Sequence, residues 1–130
     1  MADYYALIKK AVARLDLDTR RESRWALYDR APSIMWGRGP VTLIGDAAHP
    51  MLPFLAQGAA MAIEDAAVLS RCLDGVDRDG VVDAFRRFEA TRKVRTTRVQ
   101  ETSRANIWLK QRTDTSWVYG YDAWSVPLAA

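Results

Sequence analysis

One stretch, residues 41–66, constrains the fold of this chain more than any other. It opens with the apolar, partly β-branched run VTLI, bounded by Gly39-Pro40 and Gly45, which predicts a short buried strand. An acid, Asp46, follows at the strand end, and a loop with two prolines comes next. A helix then begins near Gln57 or Gly58. The sequence thus predicts strand, acid, loop and helix in direct succession.

The start of this predicted helix is suited to an electron-rich ligand. The first N–H groups of a helix have no partner within it and carry a partial positive charge. The small residues Ala59, Ala60 and Ala62 let a ligand approach the backbone closely. Asp46 can accept hydrogen bonds from ligand hydroxyl groups. We therefore expect a ligand-binding corner between Asp46 and the helix N-terminus.

The same run resembles the second flavin-contacting motif of the FAD-dependent aromatic hydroxylases, and is most similar to salicylate-hydroxylase-like members. The resemblance implies that Asp46 meets the ribityl chain of FAD. It implies that the helix N–H groups face the pyrimidine edge of the flavin, with Pro53 beside flavin and substrate. The cofactor-binding residues it implies are Gly45, Asp46, Pro53, Gln57, Gly58, Ala59 and Ala60. Met51 and Phe54 either wall a substrate pocket or pack in an ordinary core, and no catalytic residue is assigned.

The resemblance covers most of the chain and implies the C-terminal third of such an enzyme. Its chemistry is NAD(P)H-driven reduction of FAD and O₂-dependent hydroxylation of an activated aromatic ring. None of the seven glycines forms the Gly-x-Gly-x-x-Gly turn that holds the FAD pyrophosphate. We therefore expect weak or absent FAD binding, and no catalysis, by this chain alone.

Periodicity and turn residues predict a mainly α single domain over residues 1–130 with two short β-strands. By the resemblance, it is a C-terminal fragment of the α/β FAD-binding (Rossmann-like) aromatic hydroxylase fold. The predicted helices cover residues 3–15, 57–74 and 81–112, and the strands cover residues 25–29 and 41–45. The last helix is long enough that we expect a bend or a break in it.

Composition and residue spacing narrow the classes of protein and of site that this chain can represent. A hydrophobic fraction of 49%, one cysteine and no apolar run of membrane-spanning length predict a soluble cytoplasmic protein without an internal disulfide. The basic residues of the last helix are scattered around it, which disfavours nucleic acid as a partner. A calcium loop centred on Gly80 is disfavoured because Gly75 and Arg86 would fill its first and last ligand positions. The only histidine, His49, is assigned a structural role, and Asp65 is expected to cap or pair near its helix.

Three functions remain open. The chain is a flavin-site half completed by a complementary chain with the Gly-x-Gly-x-x-Gly half, a non-enzymatic helical remnant, or a binding module for small aromatic ligands. We also expect a homodimer or higher oligomer, with residues 81–112 in the interface, because exposed apolar faces commonly mark interfaces. The apolar residues expected to be exposed on the two long helices are Ile63, Phe85, Phe88, Ile107 and Trp108.

Overall fold

The computed structural model describes residues 27–105 and 114–130. Two short strands, β1 (Gly37–Arg38) and β2 (Val41–Thr42), are followed by 3₁₀ turns at Gly45–Ala47 and Pro53–Leu55. Three helices complete the order: α1 (Gly58–Leu73), α2 (Val81–Ala105) and α3 (Ser116–Tyr119). The strands pair antiparallel, with Gly37 opposite Thr42 and Arg38 opposite Val41. The predicted helix over residues 3–15 lies outside the described residues.

The predicted fold class, mainly α with two short strands, is confirmed, but one strand was misplaced. The strand predicted at residues 41–45 exists as β2 but covers only Val41–Thr42, and Gly45 begins a turn with a left-handed φ of 56°. The expectation that this strand is buried was wrong, since Val41 is 62% exposed. Residues 27–29, the described part of the other predicted strand, form no strand. β2 pairs instead with β1 across a hairpin turn, where Gly39 supplies a φ of 57°.

The two long helices lie where the periodicity placed them. Gln57 is the N-cap residue of α1, and Asp74 is its C-cap. Gly75 follows with a φ of 69°, the left-handed conformation that commonly terminates helices. α2 is unbroken over its described length, and the rest of the predicted run, residues 106–113, lies outside the described residues. No helix among the described residues is long and apolar enough to cross a membrane.

The core lies between α1, α2 and the segments that flank them. Phe88 of α2 is fully buried and packs against Trp36, with ring centroids 5.8 Å apart. The expectation that Phe88 is exposed was therefore wrong, since the chain fills the space around it with its own side chains. Ile63 is 71% exposed, as expected, and Phe85 is half-buried. The buried core cluster comprises Trp36, Ala48, Val68, Cys72, Ala84, Phe88 and Ala123.

Candidate functional site

The structure brings the first 3₁₀ turn against the start of α1. A Cβ atom added to Gly58 would lie 3.7 Å from Oδ1 of Asp46 and 3.9 Å from Cγ of Met51. A Cβ atom added to Gly45 would lie 3.1 Å from Cβ of Ala62, so the turn packs directly on the helix. Asp46, Met51 and Gly58 thus converge, in the corner that the sequence predicted between strand end and helix. We refer to residues 45–60 as the corner.

The N-terminus of α1 faces this corner without a cap. Gln57 is buried, yet no side chain hydrogen-bonds to the cap position. The first bond to the Gln57 carbonyl comes from Met61, at 2.8 Å. The N–H groups of Gly58, Ala59 and Ala60 precede that bond, so helix geometry gives them no partner within α1. Ala59 is exposed, which leaves this positive helix end open to a ligand.

The other predicted site residues differ in exposure. Asp46, Pro53 and Phe54 are exposed, and Phe54 keeps 41% of its surface accessible. Met51 is half-buried and packs against the small cluster of Leu55, Met61 and Val99. The corner therefore combines an exposed acid, exposed apolar side chains and backbone donors without a partner within α1, a set that suits a ligand with both hydroxyl groups and an aromatic ring.

Side chains of α2 hydrogen-bond to the proline loop of the corner, residues 50–53, and hold it in place. The Gln100 side chain donates from Nε2 to the Pro50 carbonyl at 2.7 Å, and the Ser103 hydroxyl donates to the Leu52 carbonyl at 2.5 Å. Both side chains are buried. Sequence reasoning missed them because it considered only the apolar and charged residues along α2. The available signal was a polar series, Thr96, Gln100 and Ser103, at helical spacing.

Asp65 of α1 lies beneath the turn and is fully buried. Its Oδ2 accepts hydrogen bonds from the Gly45 N–H at 2.9 Å and from His49 Nε2 at 2.6 Å. Its Oδ1 accepts from Arg92 Nε at 2.8 Å. Burial raises the pKa of Asp65, but the bonds from His49, Arg92 and Gly45 outweigh burial and hold that pKa below its ordinary value. His49, 1% exposed, therefore belongs to a structural network.

The network continues from Arg92 to the C-terminal segment. Burial lowers the pKa of Arg92, but Asp65 and Glu64 raise it by a larger amount. The pKa of Arg92 therefore lies above its ordinary value. Arg92 Nη2 lies 2.8 Å from Glu64 Oε2, and Arg95 binds both oxygens of Glu64 at 2.7 Å. Arg95 also donates to the Trp117 and Val118 carbonyls, each at 2.9 Å. A continuous set of charge-assisted bonds thus joins the turn, α1, α2 and α3.

We expect Gly45→Ala to lower the free energy of unfolding by about 2–3 kcal/mol. A left-handed φ costs an L-residue about 1–2 kcal/mol, and the added Cβ also crowds Ala62 at 3.1 Å. Gly75→Ala is the matched control, since Gly75 has a φ of 69° with nothing within 4 Å of the added Cβ. Urea denaturation followed by circular dichroism measures both. Equal losses would show that the turn does not pack closely on α1.

Comparison with known proteins identifies relatives of this chain. A family model described as an FAD binding domain matches residues 3–103. The 6-hydroxynicotinate 3-monooxygenase of Pseudomonas fluorescens is 49% identical over 106 residues, which is 82% of this chain and 28% of that protein. The 3-hydroxybenzoate 6-hydroxylase 1 of Aquipseudomonas alcaligenes is 52% identical over 81 residues, 62% of this chain and 20% of that protein. The chain therefore spans less than a third of the length of these relatives.

Two solved structures of larger proteins also contain a part that is similar to this chain. The crystal structure of FqzB matches 76% of this chain with a TM-score of 0.68 at 33% identity, and the match covers 27% of FqzB. The crystal structure of CtdE in complex with FAD matches 64% of this chain with a TM-score of 0.54 at 35% identity, and covers 20% of CtdE. The helices and turns described above therefore recur within larger proteins, one of them crystallised with FAD.

Proposed function

The chain belongs to the FAD binding domain family, whose cofactor is FAD, and we propose that it supplies the ribityl- and flavin-contacting corner of an aromatic hydroxylase. The observation that carries the proposal is the convergence of Asp46 with the uncapped N-terminus of α1. The acid is exposed, and the added Cβ of Gly58 would lie 3.7 Å from its oxygen, so acid and backbone donors face one space.

The residues of the corner fit the flavin half of FAD. The Asp46 carboxylate accepts hydrogen bonds from ribityl hydroxyl groups, and the N–H groups of Gly58, Ala59 and Ala60 donate to the electron-rich pyrimidine edge. When bound, FAD supplies electron transfer from NAD(P)H and transfer of oxygen to the aromatic ring. The residues of this chain orient the flavin and exclude water from one side of it. Gln100 and Ser103 keep the loop in the shape that this requires.

We propose a hydroxylated aromatic carboxylic acid as the substrate class. The names of the relatives support it, since hydroxynicotinate, hydroxybenzoate and aminohydroxybenzoate are all acids of this kind. In this chain, Met51 lies near Asp46 at the start of α1, and the exposed Pro53 and Phe54 of the corner offer further apolar surface for such a ring. Hydroxylation by the whole protein also needs the groups that bind the FAD pyrophosphate, which the 130 residues lack. A complementary segment or chain with a Gly-x-Gly-x-x-Gly turn supplies them.

A graft into a full-length relative tests this function. Residues 27–105 of this chain replace the matched segment of the Pseudomonas fluorescens 6-hydroxynicotinate 3-monooxygenase, and retained FAD is measured after gel filtration. We expect a yellow protein with stoichiometric FAD. Asp46→Ala in the graft is expected to weaken FAD binding about tenfold to a hundredfold, because a hydrogen bond to a charged group contributes about 1.5–3 kcal/mol.

Asp79→Ala is the matched control for the graft. Asp79 is an exposed acid in the turn beyond the C-terminal end of α1, at the opposite end of that helix from the corner. We expect this variant to retain FAD as the unmodified graft does. A graft that folds but holds no FAD, or equal FAD loss in both variants, would contradict the proposed function. The 130-residue chain by itself is expected to purify colourless.

A further inference from the structure

We infer that Asp65 is a positioning residue for the corner: from α1, its carboxylate holds both ends of the turn that carries Asp46. The inference rests on the proposed function, because Asp46 is the residue through which that function acts. Oδ2 of Asp65 accepts from the Gly45 N–H and from His49 Nε2, and these two residues flank Asp46 on either side. One oxygen atom therefore fixes the turn before and after the exposed acid.

The carboxylate is itself held still. Arg92 donates from Nε to Oδ1 at 2.8 Å, so α2 orients the plane of the Asp65 carboxyl group. The side chains of Asp65 and Arg92 are both fully buried, and that of His49 is 2% exposed. Hydrogen bonds between ionised groups are roughly twice as strong as neutral ones. The turn is thus tied to the two long helices through a desolvated acid.

The conformation of Gly45 fits its hydrogen bond to Asp65. We refer to the hydrogen bonds from Gly45 and His49 to Oδ2 of Asp65 as the clamp. The φ of Gly45, 56°, is available to glycine at little cost, and the backbone N–H is directed to Asp65 while the missing side chain leaves room for Ala62. The Gly45 carbonyl accepts from the N–H groups of Ala48 and His49, each at 2.9 Å, which closes the turn. In this arrangement of the turn, Asp46 is exposed and lies beside Gly58.

Asp65→Asn tests this role, because asparagine carries a neutral amide in place of the carboxylate. Its amide has one accepting oxygen, so it cannot serve Arg92 on one side and Gly45 with His49 on the other. Glu64→Gln is the matched control. Glu64 is the next residue of α1 and also pairs with Arg92, at 2.8 Å, but its bonds run to Arg92 and Arg95 and not to the turn.

Amide hydrogen exchange of the ¹⁵N-labelled 130-residue chain measures the clamp without any ligand. In the unmodified chain we expect the Gly45 amide to exchange at least a hundredfold more slowly than an unprotected amide. In Asp65→Asn we expect its protection to fall at least tenfold more than that of the Phe88 and Thr96 amides within α2. In Glu64→Gln we expect Gly45 to keep its protection.

Parallel loss of protection at Gly45 and Phe88 in Asp65→Asn, or equal loss at Gly45 in Glu64→Gln, would overturn the inference. If Asp65→Asn does not fold, the unmodified chain decides: a Gly45 amide that exchanges at the unprotected rate overturns the inference, and a protected one supports it. FAD retention by the graft tests the proposed function separately. A graft that folds without FAD overturns the proposed function, while the exchange of Gly45 in the 130-residue chain still decides the clamp.

Discussion

Replacement of Arg92 by methionine is expected to lower the free energy of unfolding by about 3–5 kcal/mol, the usual cost of removing one partner of a buried ion pair. Arg92 is fully buried and neutralises both Asp65 and Glu64, at 2.8 Å each. Methionine keeps much of the side-chain volume but leaves one acid without its counter-charge in the core. Since whole domains are stable by only about 5–15 kcal/mol, we expect this variant to be close to unfolding at room temperature.

Arg86→Met is the matched control, because Arg86 lies on the same helix and also pairs with an aspartate. Its pair with Asp83 is on the surface, with side chains 77% and 81% exposed. Exposed pairs contribute about 0–1 kcal/mol, so we expect little change. Guanidinium denaturation followed by circular dichroism measures both variants. Equal effects would show that the Asp65–Arg92–Glu64 network does not stabilise the fold.

Acid should weaken the same network. The pKa of Asp65 is depressed in the folded chain, so the stabilisation from its charged form is fully present above the ordinary aspartate pKa. It is lost as pH falls through the depressed pKa of the folded state. We therefore expect the guanidinium midpoint of the unmodified chain to fall below pH 4. In Arg92→Met, which lacks one of the bonds that depress this pKa, the contribution of Asp65 to this fall should be smaller.

The sequence predicted the elements of the corner but not the groups that hold them together. The order of VTLI, Gly45, Asp46, the proline loop and the α1 start is local, and local patterns encode turns and helix ends. The bonds of Asp65, Gln100 and Ser103 join residues 16 to 70 positions apart. Such pairings depend on how α1 and α2 pack, and one sequence does not specify that packing through its periodicity.

Packing between distant parts of the chain also accounts for two wrong predictions, the strand at residues 25–29 and the exposure of Phe88. Trp-Ala-Leu-Tyr-Asp has strand-forming residues, but residues 27–29 have no strand partner in the described part of the chain. Phe88 was placed on an outer face because the resemblance suggested missing neighbours. The structure instead packs it against Trp36, at a ring distance of 5.8 Å, so the chain provides that neighbour itself. A charged residue in place of Phe88 is therefore expected to unfold the chain. Such a variant cannot be used to measure association.

Self-association remains a proposal, and its best-placed residues are Ile63 on α1 and Val94 on α2. Their side chains are 71% and 78% exposed. The exposed face of α1 that includes Ile63 carries no charge over four positions at helical spacing, Ala59, Ile63, Ala66 and Ser70. Exposed apolar patches commonly mark interfaces, and a two-fold dimer covers the same face on both copies. We therefore propose a second copy of this chain as the occupant of this face when the 130 residues are isolated.

Ile63→Glu is expected to convert the proposed dimer of the isolated chain to a monomer at micromolar concentration. A carboxylate forced into an apolar contact without a partner costs at least about 2 kcal/mol, which weakens association roughly thirtyfold or more. Arg78→Glu is the control, since Arg78 is exposed in the turn after α1 and outside the uncharged face, and we expect it to remain dimeric. Sedimentation equilibrium measures the mass of each variant, and circular dichroism checks that each is folded. A monomer mass for the unmodified, folded chain would refute self-association, and dimers in both variants would place the interface on another face.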